Sequence, residues 1–417
     1  MGGLQWKRRV RGMLTLLFVS VCLTMLISHL LWPSITDLTE VEKCPACYGT
    51  SFCPAITGGF LTLHSFGAFA GFVNILGSKN VLFGMLGNQK VVLKKLGHTV
   101  ELEQLDKMIC KGAGLSSSCH VHEAIWQQGD LLHSMRQHVA SQDSSLLLCP
   151  SVANLECLLS SVLYKTKGTS TEASLANIWT TLMINPEPLL LQVLQEQDGW
   201  PVTKYMGACG RVVVEEYAGE ILTSYHNAPW LQRVHLAHQL LIAAHNFTDS
   251  HPLFGFYLTD ISADNIAVDA QGKLRFVDLE NVIVVDKNVP NEDRPQSWTI
   301  PHVSETFDCE GCFAFSSEDI CSHRMSDHNF YAVCQHLLSP LAALDMIPGG
   351  LLHDMPPAHA RVSELVQKCS ESTEPSGRLR AAQDLTELLA EVLQQHGYSS
   401  MQPKSPSCSL WDGCLEA

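Results

Sequence analysis

The chain has 417 residues, of which 46% are hydrophobic and 17% are charged, and its formal net charge at pH 7 is −15. This composition excludes a disordered protein, and the acidic charge argues against nucleic acid or anionic lipid as a partner. A chain of this length can bury a large core without disulfide bonds, so its 16 cysteines need a separate explanation.

The first predicted element is a membrane-spanning helix. The run 13–32 carries no Lys, Arg, Asp or Glu and is long enough to cross a bilayer core. The basic tail 1–12 predicts a cytosolic N-terminus and a lumenal body. A cleaved signal peptide is the alternative, but its apolar region usually has about 7–15 residues and precedes a small-residue cleavage site. We therefore predict a single-pass type II membrane protein, and the lone glycosylation sequon, at Asn246, fits a lumenal body.

An oxidising lumen explains the cysteines, because disulfides form and persist there. Their pairing does not follow from the sequence. Cys44/Cys47 and Cys309/Cys312 have CxxC spacing, which also occurs in redox pairs and zinc sites, but neither is followed by the second half of a zinc motif. We therefore favour disulfides. The lumenal candidates are Cys44, Cys47, Cys53, Cys110, Cys119, Cys149, Cys157, Cys209, Cys309, Cys312, Cys321, Cys334, Cys369, Cys408 and Cys414.

After a cysteine-rich stem, 33–70, the pattern predicts two lobes and a short tail. The N-terminal lobe is 71–217, with an insertion at about 101–175, the C-terminal lobe is 218–400, and the tail is 401–417. The predicted elements are strands at 81–83 and 91–96, helical patches near 121–136 and 152–164, a helix at 187–196, strands at 201–206 and 211–217, a helix at 229–246, a hairpin at 266–277, a helix from Asp327 and a last helix ending at Gly397. Strands dominate the first half and helices the second, which predicts a two-lobed α+β domain.

Three polar side chains around the hairpin 266–277 can converge on one point. Asp260 and Asn265 lie five residues apart before the hairpin, and Asp278 lies at its exit. Asn265 and Asp278 offer oxygen ligands that suit Mg²⁺, which binds few protein groups and leaves room for substrate phosphates. Asp260 can then accept the proton of an attacking hydroxyl.

This arrangement resembles the catalytic loop and the metal-binding Asp of protein kinases. The resemblance implies that ATP with Mg²⁺ or Mn²⁺ binds between the lobes, that Lys94 contacts its phosphates, and that Glu187, or alternatively Glu172, pairs with Lys94. It further assigns Gly77 to a Gly-rich loop ending at Gly84, Glu216, Tyr217 and Ala218 to the hinge that holds adenine, and Asp327 to the helix start that supports the catalytic loop.

Several positions depart from the kinase pattern. Leu258 and Thr259 replace the His and Arg before the catalytic Asp, and Ser262 replaces a Lys. Glu280 replaces the Gly of D-F-G, and the gatekeeper position holds the charged Glu215. Without this Arg, a phosphate on the activation loop would lack its usual binding partner. We therefore expect that phosphorylation of this loop does not control activity.

The anchor, the cysteine-rich stem, the insertion and the D-I-S-A-D-N and V-D-L-E motifs together resemble the divergent protein kinase domain family 1. The resemblance covers nearly the whole chain and implies a type II membrane protein of the endoplasmic reticulum with a lumenal kinase-like domain. It also implies an EF-hand-like insertion, but residues 101–125 fail the spacing of that Ca²⁺ loop in either register. We therefore predict no Ca²⁺ site of this type.

Three functions stay open at this point. A phosphotransferase would move the γ-phosphate of ATP to a hydroxyl of a lumenal protein or glycan. A pseudokinase would keep the fold and bind a lumenal partner. A redox protein would use Cys44 and Cys47. In each case we expect the disulfides to fix loops rather than to hold the core together.

Overall fold

The structure is a computed structural model that describes residues 20, 35–63, 80–163, 171–304, 314–398 and 406–407. Within these ranges, no helix is both long and apolar enough to cross a membrane. The predicted span 13–32 lies outside them except for Ser20, so it stays a prediction. Also outside are Gly77, Cys309, Cys312, Cys408 and Cys414.

The N-terminal lobe is built on an antiparallel sheet. Its strands are β1 (Leu61–Leu63), β2 (Asn80–Leu86), β3 (Gln89–Lys95), β5 (Tyr205–Cys209) and β6 (Val212–Glu216), ordered β1-β2-β3-β6-β5. Strands β2 and β3 form the predicted hairpin. Alternation along β3 places Val91 and Leu93 in the core under one face of the sheet and Lys94 on the opposite face. The sheet therefore presents Lys94 to the cleft.

The segment predicted to be a stem is part of this lobe. Two short helices, α1 (Ile35–Thr39) and α2 (Cys53–Thr57), cover the β3 face that carries Val91. Leu38 and Ile56 are buried in the same cluster, and a disulfide joins Cys53 to Cys209 on β5. The predicted stem at 33–70 is therefore wrong for its described residues, because their apolar side chains form part of the lobe core.

The insertion is helical, and one strand of it joins the other lobe. Its helices are α3 (Thr99–Gly112), α4 (Val121–Ala124), α5 (Leu131–Ala140), α6 (Leu155–Leu163) and α7 (Thr171–Ile184), followed by α8 (Glu187–Val193). Strand β4 (Leu147–Cys149) pairs in parallel with β11 (Val282–Asp286), which pairs with β8 (Phe254–Leu258). The disulfide Cys149–Cys321 fastens the same strand to the C-terminal lobe. The insertion therefore bridges the lobes rather than belonging only to the first.

The C-terminal lobe packs helices under two small sheets. Strand β7 (Glu220–Ile221) pairs with β9 (Ile266–Val268), and β9 forms the predicted hairpin with β10 (Leu274–Phe276). The helices are α9 (Trp230–His245), α10 (Ser317–Cys321), α11 (His328–Ala332), α12 (Ala360–Glu371) and α13 (Gly377–Gln395). Strands β12 (Ala343–Leu344) and β13 (Ile347–Pro348) form a separate hairpin. The large hydrophobic core runs from the insertion through these helices.

The disulfides lie in the core as well as in loops. Cys334 and Cys369 are bonded to each other and both are 0% exposed. Cys53–Cys209 lies beside the N-lobe core, whereas Cys110–Cys119 closes the loop after α3. The expectation that disulfides only fix loops is therefore wrong. Cys44 and Cys47 are bonded to each other and Cys47 is buried, which favours a structural role over the redox alternative.

Candidate active site

Lys94 and Glu187 form a buried ion pair at the centre of the cleft. Nζ of Lys94 lies 2.7 Å from Oε1 of Glu187, and Glu187 is 1% exposed. Glu172, the alternative partner, is exposed in the first turn of α7. Of the two candidates that the sequence offered, the structure therefore brings only Glu187 to Lys94.

Helix α8 begins at Glu187 because two local features start it there. Asn185 accepts a 2.9 Å hydrogen bond from the Glu187 amide through Oδ1, which satisfies a donor that has no partner within the helix. Pro188 lies in the first turn, where its missing amide donor costs nothing. The first residue of the helix therefore points its carboxylate at Lys94.

Lys94 contacts more acceptors than the sequence indicated. Oε2 of Glu215, from the neighbouring strand β6, lies 3.1 Å from Nζ, and Nζ also donates to the carbonyl of Val277. Burial by itself would lower the pKa of Lys94, but the carboxylates of Glu187, Glu215 and Asp278 together raise it. Lys94 is therefore cationic in this site.

The loop that carries Asp260 is folded by its own backbone and side chains. Nδ2 of Asn265 donates to the Asp260 carbonyl at 3.2 Å, and the Val277 amide donates to the Asn265 carbonyl at 3.0 Å. Asp260 is exposed toward the cleft. Partial burial, followed by the nearby Asp278 carboxylate, raises the pKa of Asp260. The hairpin thus places Asp260, Asn265 and Asp278 around one region of the cleft, as their spacing predicted.

Asp327 does not support the catalytic loop, contrary to the prediction. Its carboxylate accepts from Arg378 and, at 2.8 Å, from the Ser304 amide. The next two residues support the loop instead. A nitrogen of His328 lies 2.8 Å from the Leu258 carbonyl, and Oδ1 of Asn329 accepts from the Leu258 amide at 3.0 Å. The strand end before Asp260 is therefore fixed by side chains at the start of α11.

Asp278 lies in an acidic environment that suits a divalent cation. Burial and then the Glu187 carboxylate raise the pKa of Asp278 to about 7, with Glu280 adding to the rise and Lys94 opposing it. A divalent cation would relieve this repulsion, and Asn265 and Asp278 would be its protein ligands. In the described part of the chain, no group of three or more His, Cys, Asp or Glu side chains is arranged to hold a metal on its own. The donors present therefore fit an ion that shares its ligands with substrate phosphates.

The predicted hinge already uses much of its backbone within the protein. The Glu216 amide donates to the Lys204 carbonyl at 3.0 Å, and the Tyr217 amide donates to the Lys90 carbonyl at 3.2 Å. The Glu216 carbonyl accepts from Thr203 Oγ1 at 2.9 Å and keeps a second lone pair. The amides of Glu216 and Tyr217 are thus unavailable to a base, which leaves the Glu216 carbonyl and the backbone of Ala218.

Comparison with known proteins identifies the family. A model described as the protein-kinase domain of FAM69 matches residues 178–372. Divergent protein kinase domain 2A of Xenopus tropicalis is 37% identical over 425 residues, covering 94% of this chain and 98% of that protein. The chain belongs to the divergent protein kinase domain family. The human 2A protein is 38% identical over 85% of this chain and 87% of its own length, and human 2B is 26% identical over 84% and 82%.

The finer assignment within the divergent protein kinase domain family is not confirmed. The sequence resemblance pointed to group 1, and within it to the C member, whereas the relatives named above are 2A and 2B. The matched range 178–372 includes Glu187, Asp260 and Asp278 but not Lys94. Lys94 is therefore assigned from its contact with Glu187.

Two other predicted residues do not fit their assignments. Gly84 lies inside β2, where a side chain would meet the Thr62 carbonyl of β1 at 2.9 Å, so it is a packing glycine rather than the end of a Gly-rich loop. Asn246 is 4% exposed and accepts from Ser250 Oγ at 3.1 Å. A buried, hydrogen-bonded amide argues against a glycan there, so the expected glycosylation is not confirmed.

Sequence reasoning missed several residues that shape the site. Glu215 was noted as a charged gatekeeper but not as a partner of Lys94. Asn185 had a signal, since an Asn side chain often accepts a hydrogen bond from the backbone amide two residues later. His328 and Asn329 had none, because only the tertiary fold brings α11 to β8.

Proposed function

We propose that this chain is a kinase-like membrane protein of the endoplasmic reticulum that binds ATP with Mg²⁺ or Mn²⁺ and transfers the γ-phosphate to a hydroxyl of a lumenal protein or glycan. The observation that carries the proposal is the Lys94–Glu187 pair at 2.7 Å, tied to the segment that leads to Asp278. Lys94 donates to the Val277 carbonyl, and the Leu279 amide donates to Oε2 of Glu187 at 3.2 Å. The phosphate-binding cation and the metal-binding carboxylate are thus held together.

Each residue has a chemical role in this proposal. Lys94 holds the phosphates, and Asp260 accepts the proton of the acceptor hydroxyl as its oxygen bonds to the γ-phosphorus. The bond from that phosphorus to the bridging oxygen breaks, and ADP leaves. The raised pKa of Asp260 makes it a better proton acceptor at neutral pH than an ordinary aspartate. A metal bound by Asn265 and Asp278 would supply charge neutralisation to the phosphates.

Sequence and cysteine chemistry support the proposed location. The apolar run 13–32 and the basic tail 1–12 fit a type II anchor. Five disulfides within the described ranges fit an oxidising compartment, since such bonds are rare in the cytosol.

Nucleotide binding tests the proposal. We expect ATP with Mg²⁺ or Mn²⁺ to raise the melting temperature of the purified chain, because ligands that bind only the folded state stabilise it. Asp278→Ala should abolish the metal-dependent part of the shift. As a matched control, Asp198→Ala, at a half-buried position in the turn after α8, should keep it. The absence of any shift in wild-type protein would contradict the proposal.

A second function, a pseudokinase that binds a lumenal partner, is favoured by one specific observation. Glu215 places a second buried carboxylate 3.1 Å from Nζ of Lys94, and this negative charge opposes the binding of a phosphate to the same ammonium. Under this alternative the chain would keep the fold but transfer little or no phosphate, and a measurable phosphotransferase rate that Asp260→Asn abolishes would contradict it.

A further inference from the structure

The proposed function does not use the buried carboxylate of Glu215. This residue is 1% exposed, and its Oε2 lies 3.1 Å from Nζ of Lys94. Its Oε1 is also buried and has no hydrogen-bond partner among the described residues. A buried polar atom without a partner costs about 1–3 kcal/mol, so the missing partner needs a chemical explanation.

The balance of charge indicates what this partner is. Lys94 carries one positive charge, whereas Glu187 and Glu215 would carry two negative charges if both were ionised. All three residues are buried. One proton held between the two carboxyl groups removes the excess charge and gives Oε1 of Glu215 a hydrogen-bond partner. The geometry places the two groups side by side, because both contact the same ammonium, Glu187 at 2.7 Å and Glu215 at 3.1 Å from Nζ of Lys94.

The other titratable groups around the pair add no compensating positive charge. Asp278, from the loop after β10, adds a further negative charge. Tyr205 on β5 and Tyr48 in the N-terminal segment are neutral at pH 7, because burial raises their pKa values. Arg211 acts on Tyr48 but is neutralised by Asp106. Lys94 therefore remains the only cation facing both carboxyl groups in the described part of the site.

The donors of Lys94 are already saturated. A lysine ammonium has three donors, and Nζ contacts three acceptors, on Glu187, Glu215 and Val277. Glu187 is also held by the Leu279 amide, and the Val277 acceptor is a main-chain carbonyl. Glu215 is therefore the acceptor that an incoming phosphate would displace most readily.

We propose that Glu215 is a positioning residue that shares one proton with Glu187 and occupies the place on Lys94 that a nucleotide phosphate takes. The second part rests on the proposed function, whereas the shared proton does not. When a phosphate oxygen arrives, Lys94 exchanges its hydrogen bond to Oε2 of Glu215 for one to the phosphate. The proton stays with the two carboxyl groups, so the pair keeps a single negative charge.

The proposal predicts a pH-dependent stability. Burial raises the pKa of Glu187 to about 8, with Lys94 opposing the rise and Glu215 adding to it, whereas the ordinary value is 4.5. Between these values the folded chain holds more protons than the unfolded chain, so its stability falls as pH rises through this window. Above it, Glu187 is ionised in both states and this contribution no longer changes.

Thermal unfolding without nucleotide, from about pH 5 to about pH 9, tests the shared proton. We expect Glu215→Gln to flatten the fall in melting temperature, since the amide accepts from Lys94 and donates to Glu187 without titrating. The control Glu103→Gln, at a side chain that is 62% exposed, should follow wild type. The same slope in Glu215→Gln and wild type would overturn the proposal.

Two further measurements keep the test independent of how the variant folds. Infrared spectra of wild-type protein should contain the carbonyl stretch of a buried protonated carboxylic acid at pH 7, and its absence would overturn the shared proton.

Above about pH 8, Glu215→Gln should bind ATP with Mg²⁺ about tenfold more tightly than wild type, because the substitution removes a carboxylate that repels phosphate. Equal affinity would overturn the positioning role. If neither protein binds ATP, the proposed function fails, while the infrared and unfolding results still decide the shared proton.

Discussion

At the scale of single residues, the support of the catalytic loop depends on one buried amide. Oδ1 of Asn329 accepts from the Leu258 amide, and its Nδ2 donates to the Phe256 carbonyl at 2.8 Å and to Thr248 Oγ1 at 3.0 Å. Asn329 is 0% exposed, so no water replaces these bonds when the side chain is removed. Asn329 thus joins β8 and the turn of π-helix after α9 (Asn246–Ser250) to the start of α11.

We expect Asn329→Ala to lower the free energy of unfolding by about 2–4 kcal/mol, because it leaves buried partners unsatisfied. The melting temperature measured by calorimetry checks this. Asn291→Ala, at an exposed position in a short turn, is the control and should stay within about 0.5 kcal/mol of wild type. If the two variants are equally stable, the supporting role assigned to Asn329 is wrong.

The site residues that could be predicted are those whose chemistry depends on local spacing. Asp260, Asn265 and Asp278 were predicted because a short hairpin brings them together. Glu187 was one of two candidates, since a helix start alone does not say which carboxylate reaches Lys94. The contact of Glu215 with Lys94 depends on the register of β3 against β6, which the sequence does not specify.

At the scale of elements, local periodicity predicted α9, α13 and the hairpins, but it missed the helices α3, α7 and α12 and the pairing between distant strands. The predicted helix at 229–246 is α9 (Trp230–His245), and the last predicted helix is α13, which ends at Gln395, two residues before the predicted end at Gly397. Strands β4 and β11 were missed. They pair in parallel although more than a hundred residues of chain separate them, and no local sequence pattern indicates which distant strand a segment pairs with.

A glycine also led to a wrong prediction of where one strand ends. The predicted break after 201–206 included Gly207, which lies within β5 instead. Its φ of 148° and the irregular register beside it locate a bulge where the strand passes Ser51 and Phe52. A glycine in a strand can thus mark close packing rather than a turn.

At the scale of the whole molecule, the insertion and the N-terminal segment link the parts of the protein. Cys149–Cys321 and the β4–β11 pairing join the insertion to the C-terminal lobe. Cys53–Cys209 joins the N-terminal segment to the sheet of the first lobe. The kinase-like lobes are thus held by covalent bonds that lie outside the catalytic residues.

The packing of the N-terminal segment predicts how the domain lies relative to a membrane. Ile35 packs on the N-terminal lobe only three positions after Trp32, the end of the predicted span. Three residues reach at most about 10 Å, so this lobe must lie close to the bilayer if the span crosses it. The lobe then has little freedom to move away from the lipid.

Quenching of tryptophan fluorescence by brominated lipids in nanodiscs checks this arrangement. We expect Phe60→Trp, at a 68% exposed position in the N-terminal lobe, to gain a quenched signal relative to wild type. Met346→Trp, at a 94% exposed position between β12 and β13 of the other lobe, is the control and should gain an unquenched one. Equal quenching of the two added signals would contradict a bilayer next to the N-terminal lobe.

Phosphoryl transfer is the most direct test of the central claim that the cleft is a catalytic site. The purified chain, supplied with γ-labelled ATP, Mn²⁺ and secretory-pathway glycoproteins as acceptors, should label an acceptor. Asp260→Asn should reduce the rate by about 10²–10⁴-fold, because it removes the proton acceptor while keeping the size of the side chain. A wild-type rate that Asp260→Asn leaves unchanged, or no transfer by wild-type protein, would contradict the claim.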